Sequence, residues 1–287
     1  MTNKKNTARS ILITGCSSGI GYRAAHMLRE RGWQVFPTCR KLDDVEKLRA
    51  EGFEAFWLDY QDNGSIESAL TQVLDITNGK LDALFNNGAY GLPGAIEDIP
   101  VQAMRDQFEA NVFGWHDLTC RVIPVMRKQG HGRIVQCSSV LGLVAMKYRG
   151  PYNATKFALE GLTDTLRLEL HGSGIQISLI EPGPIRTKFT QNAISMFFKE
   201  IGEDGLQRSH FRKIYERRLK HMSKGGASKF KLEPDAVVEK LIHAIEAPKA
   251  KARYYVTVPT HLMGVLRRIL PYSILDKVLL KASDSEE

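Results

Sequence analysis

The sequence predicts an α/β fold, a doubly wound parallel sheet with helices on both faces, and three observations carry that expectation. Short, continuous apolar runs recur along the chain, the signature of strands buried on both faces. Stretches with helical spacing alternate with them, which is the order that builds parallel strands joined by crossover helices. A glycine-rich turn, Gly15-Cys16-Ser17-Ser18-Gly19-Ile20-Gly21, follows the first apolar run and opens the first helix. With 287 residues, 43% of them hydrophobic, the chain can bury one large core. No second domain, repeat or low-complexity linker is visible.

The first strand is Ile11-Leu12-Ile13-Thr14, and the helix after the turn carries Ala24, Ala25 and Leu28 at helical spacing. In that context the glycines let the backbone approach a pyrophosphate, and the helix N-terminus supplies N–H donors and positive dipole. The second strand, Gln34 to Thr38, ends at Cys39-Arg40-Lys41. In a dinucleotide-binding sheet this strand end faces the adenosine ribose. A carboxylate there would repel a 2′-phosphate, whereas Arg40 would welcome one, so NADP(H) is favoured over NAD(H). A third strand from Phe53 to Leu58 ends in Asp59, placed to hold an adenine amine, and Ile66 to Ile76 reads as the next crossover helix. Leu81 to Phe85 is the fourth strand, leading into Asn86-Asn87-Gly88-Ala89. One long helix is expected from about Val101 to Lys128, with Asn111 as a polar residue among Phe108, Val112 and Phe113. A polar group inside a packed helix needs a partner, so Asn111 is either a structural hydrogen bonder or part of a proton path. Arg133 to Ser138 and Ile175 to Ile180 are the fifth and sixth strands, the latter followed by Glu181-Pro182-Gly183-Pro184-Ile185-Arg186-Thr187.

Tyr152 and Lys156 are spaced i, i+4 at the start of a helical pattern, so both side chains fall on one face. A phenol is a poor acid or base at neutral pH unless a cation sits beside it, and Lys156 is placed to be that cation. Ser139, at the end of the apolar run Ile134-Val135-Gln136-Cys137, could donate a hydrogen bond to a substrate oxygen. Read alone, the Tyr/Lys pair could equally be an ordinary surface pair; the rest of the chain decides against that.

The combination of Thr14-Gly15, Gly19-Ile20-Gly21, Asp59, Asn86-Asn87-Gly88, Asn111, Ser139, Tyr152, Lys156 and Pro182-Gly183 resembles the short-chain dehydrogenase/reductase family over about Ser10 to Thr187. The resemblance implies a single Rossmann-type domain over 1–287, with 10–187 as cofactor and catalytic core and 188–287 as substrate-lid helices and C-terminal region. It implies Tyr152 as general acid/base, Ser139 polarising the carbonyl, and Lys156 holding the nicotinamide ribose and lowering the tyrosine pKa. Asn111 would keep a relay water on Lys156. Gly15, Ser17, Ser18, Gly19, Ile20, Gly21, Arg40, Asp59, Asn87 and Gly88 would join Tyr152 and Lys156 in holding the cofactor, and Pro182, Gly183, Ile185 and Thr187 would clamp the nicotinamide amide. No metal is expected. The family usually reads Asn-Asn-Ala-Gly after its fourth strand, whereas this chain reads Asn-Asn-Gly-Ala, which moves the flexible residue forward by one. A dimer or tetramer through the helices carrying Asn111 and Tyr152 is also implied.

The charge of +8 is uneven: from Lys188 to Lys231 eleven Lys or Arg stand against four acids. No nucleic-acid module accompanies the excess. Ala193, Ile194, Met196, Phe197 and Phe198 form an apolar cluster after the clamp, and Leu206, Phe211, Ile214, Tyr215, Leu219 and Met222 can be drawn as one face of a single helix. Pro234 to Glu246 reads as a capped helix and Tyr254 to Val258 as a last strand; apolar pairs then alternate with Arg267, Arg268 and Lys277 through Thr260 to Lys281. Two readings stay open for this basic, apolar region: packing with solvated charges, or peripheral contact with an anionic membrane. The tail resembles the retinol- and hydroxysteroid-dehydrogenase branch, which implies a lipophilic carbonyl or alcohol (a steroid, retinoid or long-chain aldehyde) as substrate. A catalytically idle NADP(H)-binding sensor or scaffold is the alternative. Scattered cysteines, the polar, basic stretch Met1 to Arg9 and the lack of a long apolar run point to a cytoplasmic chain with reduced thiols.

Overall fold

The computed structural model describes residues 8–225 and 230–284. Most of the basic N-terminal stretch, Lys229 of the basic segment and the last three residues lie outside that description. Among the described residues seven strands form one sheet: β1 (Ser10–Ile13), β2 (Gln34–Cys39), β3 (Phe56–Trp57), β4 (Ala83–Asn86), β5 (Gly132–Cys137), β6 (Ile175–Glu181) and β7 (Arg253–Tyr255). Their order is 3-2-1-4-5-6-7 and every neighbouring pair is parallel. Parallel neighbours need crossovers, and helices between the strands supply them: α1 (Gly19–Glu30), α2 (Leu42–Ala50), α3 (Asn63–Ile76), α4 (Val101–Phe108), α5 (Gly114–Gln129), α6 (Gly150–Glu169), α7 (Phe189–Glu200), α8 (Gly202–Arg208), α9 (Arg212–Ser223) and α10 (Asp235–Glu246), while α11 (Val258–Ile269) and α12 (Tyr272–Asp284) follow the last strand. The expected Rossmann-type architecture is present.

Local chemistry explains the boundaries. All four residues of β1 are buried because helices cover both faces of the sheet. The side chain of Asp62 caps α3 by accepting from Ser65 N at 2.9 Å. α5 stops where Gly130 takes φ 75°, and α6 starts with a proline in its first turn.

Several expectations are corrected. Only Phe56–Trp57 of the stretch 53–58 pairs as a strand, because Phe53 N is spent closing α2 on Leu48 O (3.0 Å). The long helix expected over 101–128 is two helices joined by a π turn, Glu109–Phe113. The single helix drawn through 206–222 is α8 and α9. Ser209 breaks it, donating to Asp98 Oδ2 (2.6 Å) and accepting from Phe211 N (2.9 Å). The last strand is Arg253–Tyr255, since Pro259 pre-sets the first turn of α11. The alternating tail folds into α11 and α12, separated at Leu270-Pro271.

The main core lies between the sheet and its helices. A smaller one (Ala95, Phe197, Leu206 and Tyr215, with Tyr148, Ile201, Phe211 and Leu219 against it) packs under α7–α9. Tyr215 donates to Asp98 Oδ2 (2.5 Å) and accepts from Ala95 N (2.8 Å), pinning α9. The apolar face of the basic stretch is therefore packed. α10 and β7 belong to the sheet layers even though they fall within 188–287. Strand order reverses between β1 and β4, so their carboxyl ends open a crevice where such sheets hold ligands.

Candidate active site

A cleft of about 1160 Å³ fills that crevice and runs out beneath α7, α9, α11 and α12. Gly15 and Gly19 stand at φ 68° and 62°, a region L side chains rarely adopt. A Cβ on Gly15 would fall 2.6 Å from Gly88 Cα, one on Gly21 2.5 Å from Gly15 O, and one on Gly19 2.9 Å from Thr187 Cγ2. These are backbone and clamp atoms that leave no room for side chains, and Ser18 makes no side-chain cap on α1. The turn thus presents bare backbone and a helix N-terminus to the cleft, which fits the pyrophosphate of a dinucleotide. Gly15, Ser17, Ser18, Gly19, Ile20, Arg40, Asp59, Asn87, Gly88, Ser139, Tyr152, Lys156, Pro182, Gly183, Ile185 and Thr187 all line this one cleft. Gly21 and Asn111 sit behind its wall.

At the end of β2 the Cys39 thiol is pushed up to about 12, by burial first and then by Asp44, so it stays neutral. Asp44 faces the same corner but pairs with Lys47 at 3.1 Å. Arg40 is exposed at the rim, its carbonyl held by Trp57 Nε1 (2.8 Å).

Ser139, Tyr152 and Lys156 converge where β5 ends. Ser139 Oγ accepts from Leu141 N (3.1 Å), and it stands near enough to the Tyr152 phenol to act on its pKa. Lys156 is 1% exposed; its Nζ donates to Cys137 O (2.8 Å), 4.5 Å over the Trp115 ring and 5.5 Å from the Tyr152 ring centroid. Burial pulls Lys156 down to about 8, with Cys137 and Glu160 opposing. Burial likewise pushes the Tyr152 phenol above its ordinary value, and Cys137 adds to it. Ser139 and the positive charge of Arg149 oppose that rise, so Arg149, which sequence reasoning passed over, acts on this phenol.

Asn111 occupies the π turn, and its side chain serves the neighbouring loop. Nδ2 donates to Tyr90 O (2.8 Å) and Thr155 Oγ1 (3.4 Å), and Oδ1 accepts from Tyr90 N (3.2 Å). Both ends of the amide are thus engaged with the Tyr90 loop and with α6. Asn87 Nδ2 donates to Thr14 O (3.1 Å) and Gly15 O (3.3 Å), tying β4 to the glycine turn. Beneath it, Tyr60 donates to Asn86 Oδ1 (2.8 Å), and its hydroxyl lies 2.7 Å from Thr14 Oγ1. The Gly88-Ala89 order serves packing. Gly88 is not left-handed, and a Cβ there would meet Gly15 N and Tyr60 Cε2 at 3.3 Å. Thr187 Oγ1 accepts from Phe189 N (3.2 Å) at the clamp, and Val140 N donates to Pro182 O (2.8 Å), joining clamp and Ser139.

A partly buried charge cluster behind this site was not legible in the sequence. Arg253, from β7, bonds Glu160 on the catalytic helix, Glu181 Oε1 at the end of β6 (2.6 Å) and Asp164 Oδ2 (2.6 Å). Nothing in the spacing of these four residues signals that the sheet brings them together. Glu181 is fully buried; burial first, and then Glu160, push its carboxyl up to about 8 against the pull of Arg253. The folded state therefore binds a proton that the unfolded chain, titrating near 4.5, releases. This contribution to stability is complete below about 4.5 and is lost as pH rises toward 8. Glu181→Gln should make thermal stability less dependent on pH across that window, as read from melting curves. An unchanged pH dependence would show that Glu181 is ionised throughout.

The family model described as short chain dehydrogenase matches residues 9–196. The chain belongs to the short-chain dehydrogenase family. It is an oxidoreductase acting on CH–OH groups with a nicotinamide cofactor. Among its relatives, "Uncharacterized oxidoreductase YbbO" of Escherichia coli (strain K12) is 43% identical over 272 residues, covering 94% of each chain. Human retinol dehydrogenase 8 is 36% identical over 215 residues, covering 72% of this chain and 69% of the relative. Among solved structures, a short chain dehydrogenase/reductase from Burkholderia phymatum in complex with NAD superposes with a TM-score of 0.73 at 25% identity, covering 91% of this chain and 92% of that one. The family match spans the glycine turn, Ser139, Tyr152, Lys156 and the segment from Pro182 to Thr187 together. The region beyond residue 196, which builds the outer cleft wall, lies outside the family match.

Proposed function

We propose that this protein is an NADP(H)-dependent oxidoreductase that interconverts a lipophilic carbonyl compound and its alcohol, with Tyr152 as the proton carrier. The observation that carries the reading is the convergence of Ser139, Tyr152 and Lys156 in a cleft whose far end presents Arg40 beside a neutral Cys39. When bound, the nicotinamide supplies or accepts the hydride. Everything else falls to this chain. Gly15 to Gly21 and the N-terminus of α1 would hold the pyrophosphate, Lys156 the nicotinamide ribose, and Pro182, Gly183, Ile185 and Thr187 the amide. Asp59 would hold the adenine amine. Ser139 would donate to the substrate oxygen while Tyr152 delivers or removes the proton at that atom. Arg149 and Lys156 favour the phenolate in the oxidising direction. With a reduced NADP pool, carbonyl reduction is the proposed physiological direction.

The substrate class rests on the outer wall, where Val144, Met196, Met222, Phe230, Met263 and Leu279 line the cleft. The name of human retinol dehydrogenase 8 supports a lipophilic alcohol by analogy. We place 10–187 as cofactor and catalytic core, with the helices of 188–287 that cover the cleft as lid, in one domain. A dimer or tetramer through the α5 and α6 faces is supported by Phe113, Phe157 and Leu162, which stand 52%, 37% and 45% exposed there.

Arg40→Ala tests the cofactor choice. Losing a charge-assisted hydrogen bond of roughly 1.5–3 kcal/mol should weaken NADPH about tenfold or more and barely change NADH. Equal losses for both would refute the phosphate role.

A cytoplasmic chain in peripheral contact with anionic membrane completes the proposal. No described helix is long and apolar enough to cross a membrane. Val258, Leu262, Val265 and Ile269 nevertheless form one exposed stripe along α11, with Tyr272 and Arg268 beside it. Anionic vesicles should sediment the protein at low salt and release it as salt rises. Val265→Asp with Ile269→Asp should abolish sedimentation. Retention by that double variant equal to wild type would remove α11 from the contact.

A further inference from the structure

Phe189, the first residue of α7, stands against the catalytic ring, and the oxidoreductase reading assigns it no part. Its ring centroid lies 5.2 Å from that of Tyr152 with 61° between the planes, an edge-on contact. On its other side is the loop that follows β4. A Cβ on Gly91 would fall 3.0 and 3.2 Å from Phe189 Cζ and Cε1, and 3.6 Å from Tyr152 Cδ2. The phenyl ring therefore packs on bare backbone at Gly91 and fills the space between that loop and the flank of the phenol. Backbone holds it in place, since Phe189 N donates to Thr187 Oγ1 (3.2 Å) in the segment that leads out of β6. Away from this contact the cleft runs on beneath the lid helices, between Met196, Met222, Met263 and Leu279. The two sides of the phenol are thus unequal, one filled by an aromatic ring and one leading into an apolar channel.

We infer that Phe189 and Gly91 set the shape of the substrate: a carbonyl carbon bearing one long apolar chain and one small group, hydrogen or methyl. A chain-terminal aldehyde or a methyl ketone fits that description, and a ketone in mid-chain or within a ring does not. This rests on the oxidoreductase reading and narrows its substrate class. A carbonyl held at Ser139 and Tyr152 carries two substituents that diverge in one plane. The long one runs into the outer cleft, where thioether side chains adapt to a flexible chain. A second long one would have to displace the Phe189 ring from Tyr152 and Gly91, losing the packing on both sides of it.

The test compares two isomeric ketones of equal carbon number, methyl octyl ketone and butyl pentyl ketone, with decanal as the reference substrate. Decanal-dependent NADPH loss is measured first, and its absence would sink the oxidoreductase reading. With decanal turned over, kcat/KM for methyl octyl ketone should exceed that for butyl pentyl ketone at least about tenfold. Phe189→Ala should raise kcat/KM for butyl pentyl ketone about tenfold, bring the two isomers to within about threefold of one another, and leave NADPH affinity within about threefold of wild type. If the wild type accepts neither ketone, the same variant should gain methyl octyl ketone. Phe189 begins its helix and is 36% exposed, so the alanine variant should stay folded, which a melting curve checks. Phe189→Leu, which keeps an apolar side chain on Gly91, is the second variant and should fall between wild type and Phe189→Ala. The ratio between isomers is the decisive readout, because a general loss of structure would lower both rates together. Equal kcat/KM for the two ketones in the wild type would overturn the inference while leaving the oxidoreductase reading intact. So would a folded Phe189→Ala protein that keeps the full discrimination, or one that still rejects both ketones.

Discussion

Tyr152→Phe is expected to abolish turnover, by about a hundredfold to ten-thousandfold in kcat, while NADPH affinity stays within about threefold of wild type. Only the transferable proton is removed, since the ring remains packed edge-on against Phe189, 5.2 Å away between centroids. The expected magnitude is that of a positioned general acid. Burial raises the phenol above its ordinary value, so it stays protonated at neutral pH and keeps the proton that a developing alkoxide takes during reduction. Paired measurements of carbonyl-dependent NADPH loss and of cofactor Kd decide the matter. Wild-type-like turnover would remove Tyr152 from the chemistry, and a collapse of cofactor binding would make it a binding residue.

Lys156→Ala should be worse in two ways, with kcat reduced at least as far as in Tyr152→Phe and cofactor affinity lowered about tenfold through a lost ribose contact. The variant also leaves Cys137 O without its donor and empties the space under Trp115, so its melting temperature should fall. A pH profile separates chemistry from stability. Lys156 titrates near 8 in the folded chain, being a cation below that value and neutral above it. In the wild type, kcat/KM for reduction should fall as pH rises through about 8, as the ammonium that supports the ribose and the phenol loses its proton. In Lys156→Ala that limb should be absent. An alkaline limb that persists unchanged would assign it to another group.

The parts of the site that could be read from sequence are those where chemistry and spacing coincide along one segment. The glycine turn after β1 is one, and Tyr152 with Lys156 one helical turn apart is another. Asn111 was legible as a buried polar residue, but its partners were not, because Tyr90 lies on a loop whose path depends on the π turn. The strand ends shifted where backbone groups found other partners, as at Phe53, and the lid helix broke where Ser209 found Asp98 across more than a hundred residues of sequence. The Arg253 cluster was illegible for the same reason: it gathers residues from segments that only the finished sheet brings together. Arg217 and Arg218 are adjacent and alike in sequence, yet one is exposed and the other is 7% exposed in the cleft. Helical phase relative to the neighbouring core decides between them.

Whether this chain spends NADPH on a lipophilic carbonyl can be measured directly. Purified protein should be followed for NADPH loss against long-chain aldehydes, ketosteroids, retinal and long-chain oxo-acids, with alcohol formation measured in the same samples. The expected result is carbonyl-dependent NADPH consumption matched one for one by alcohol, with NADH slower. NADPH that binds but is never consumed with any carbonyl would contradict the account and leave a cofactor-binding protein without the chemistry assigned to Tyr152.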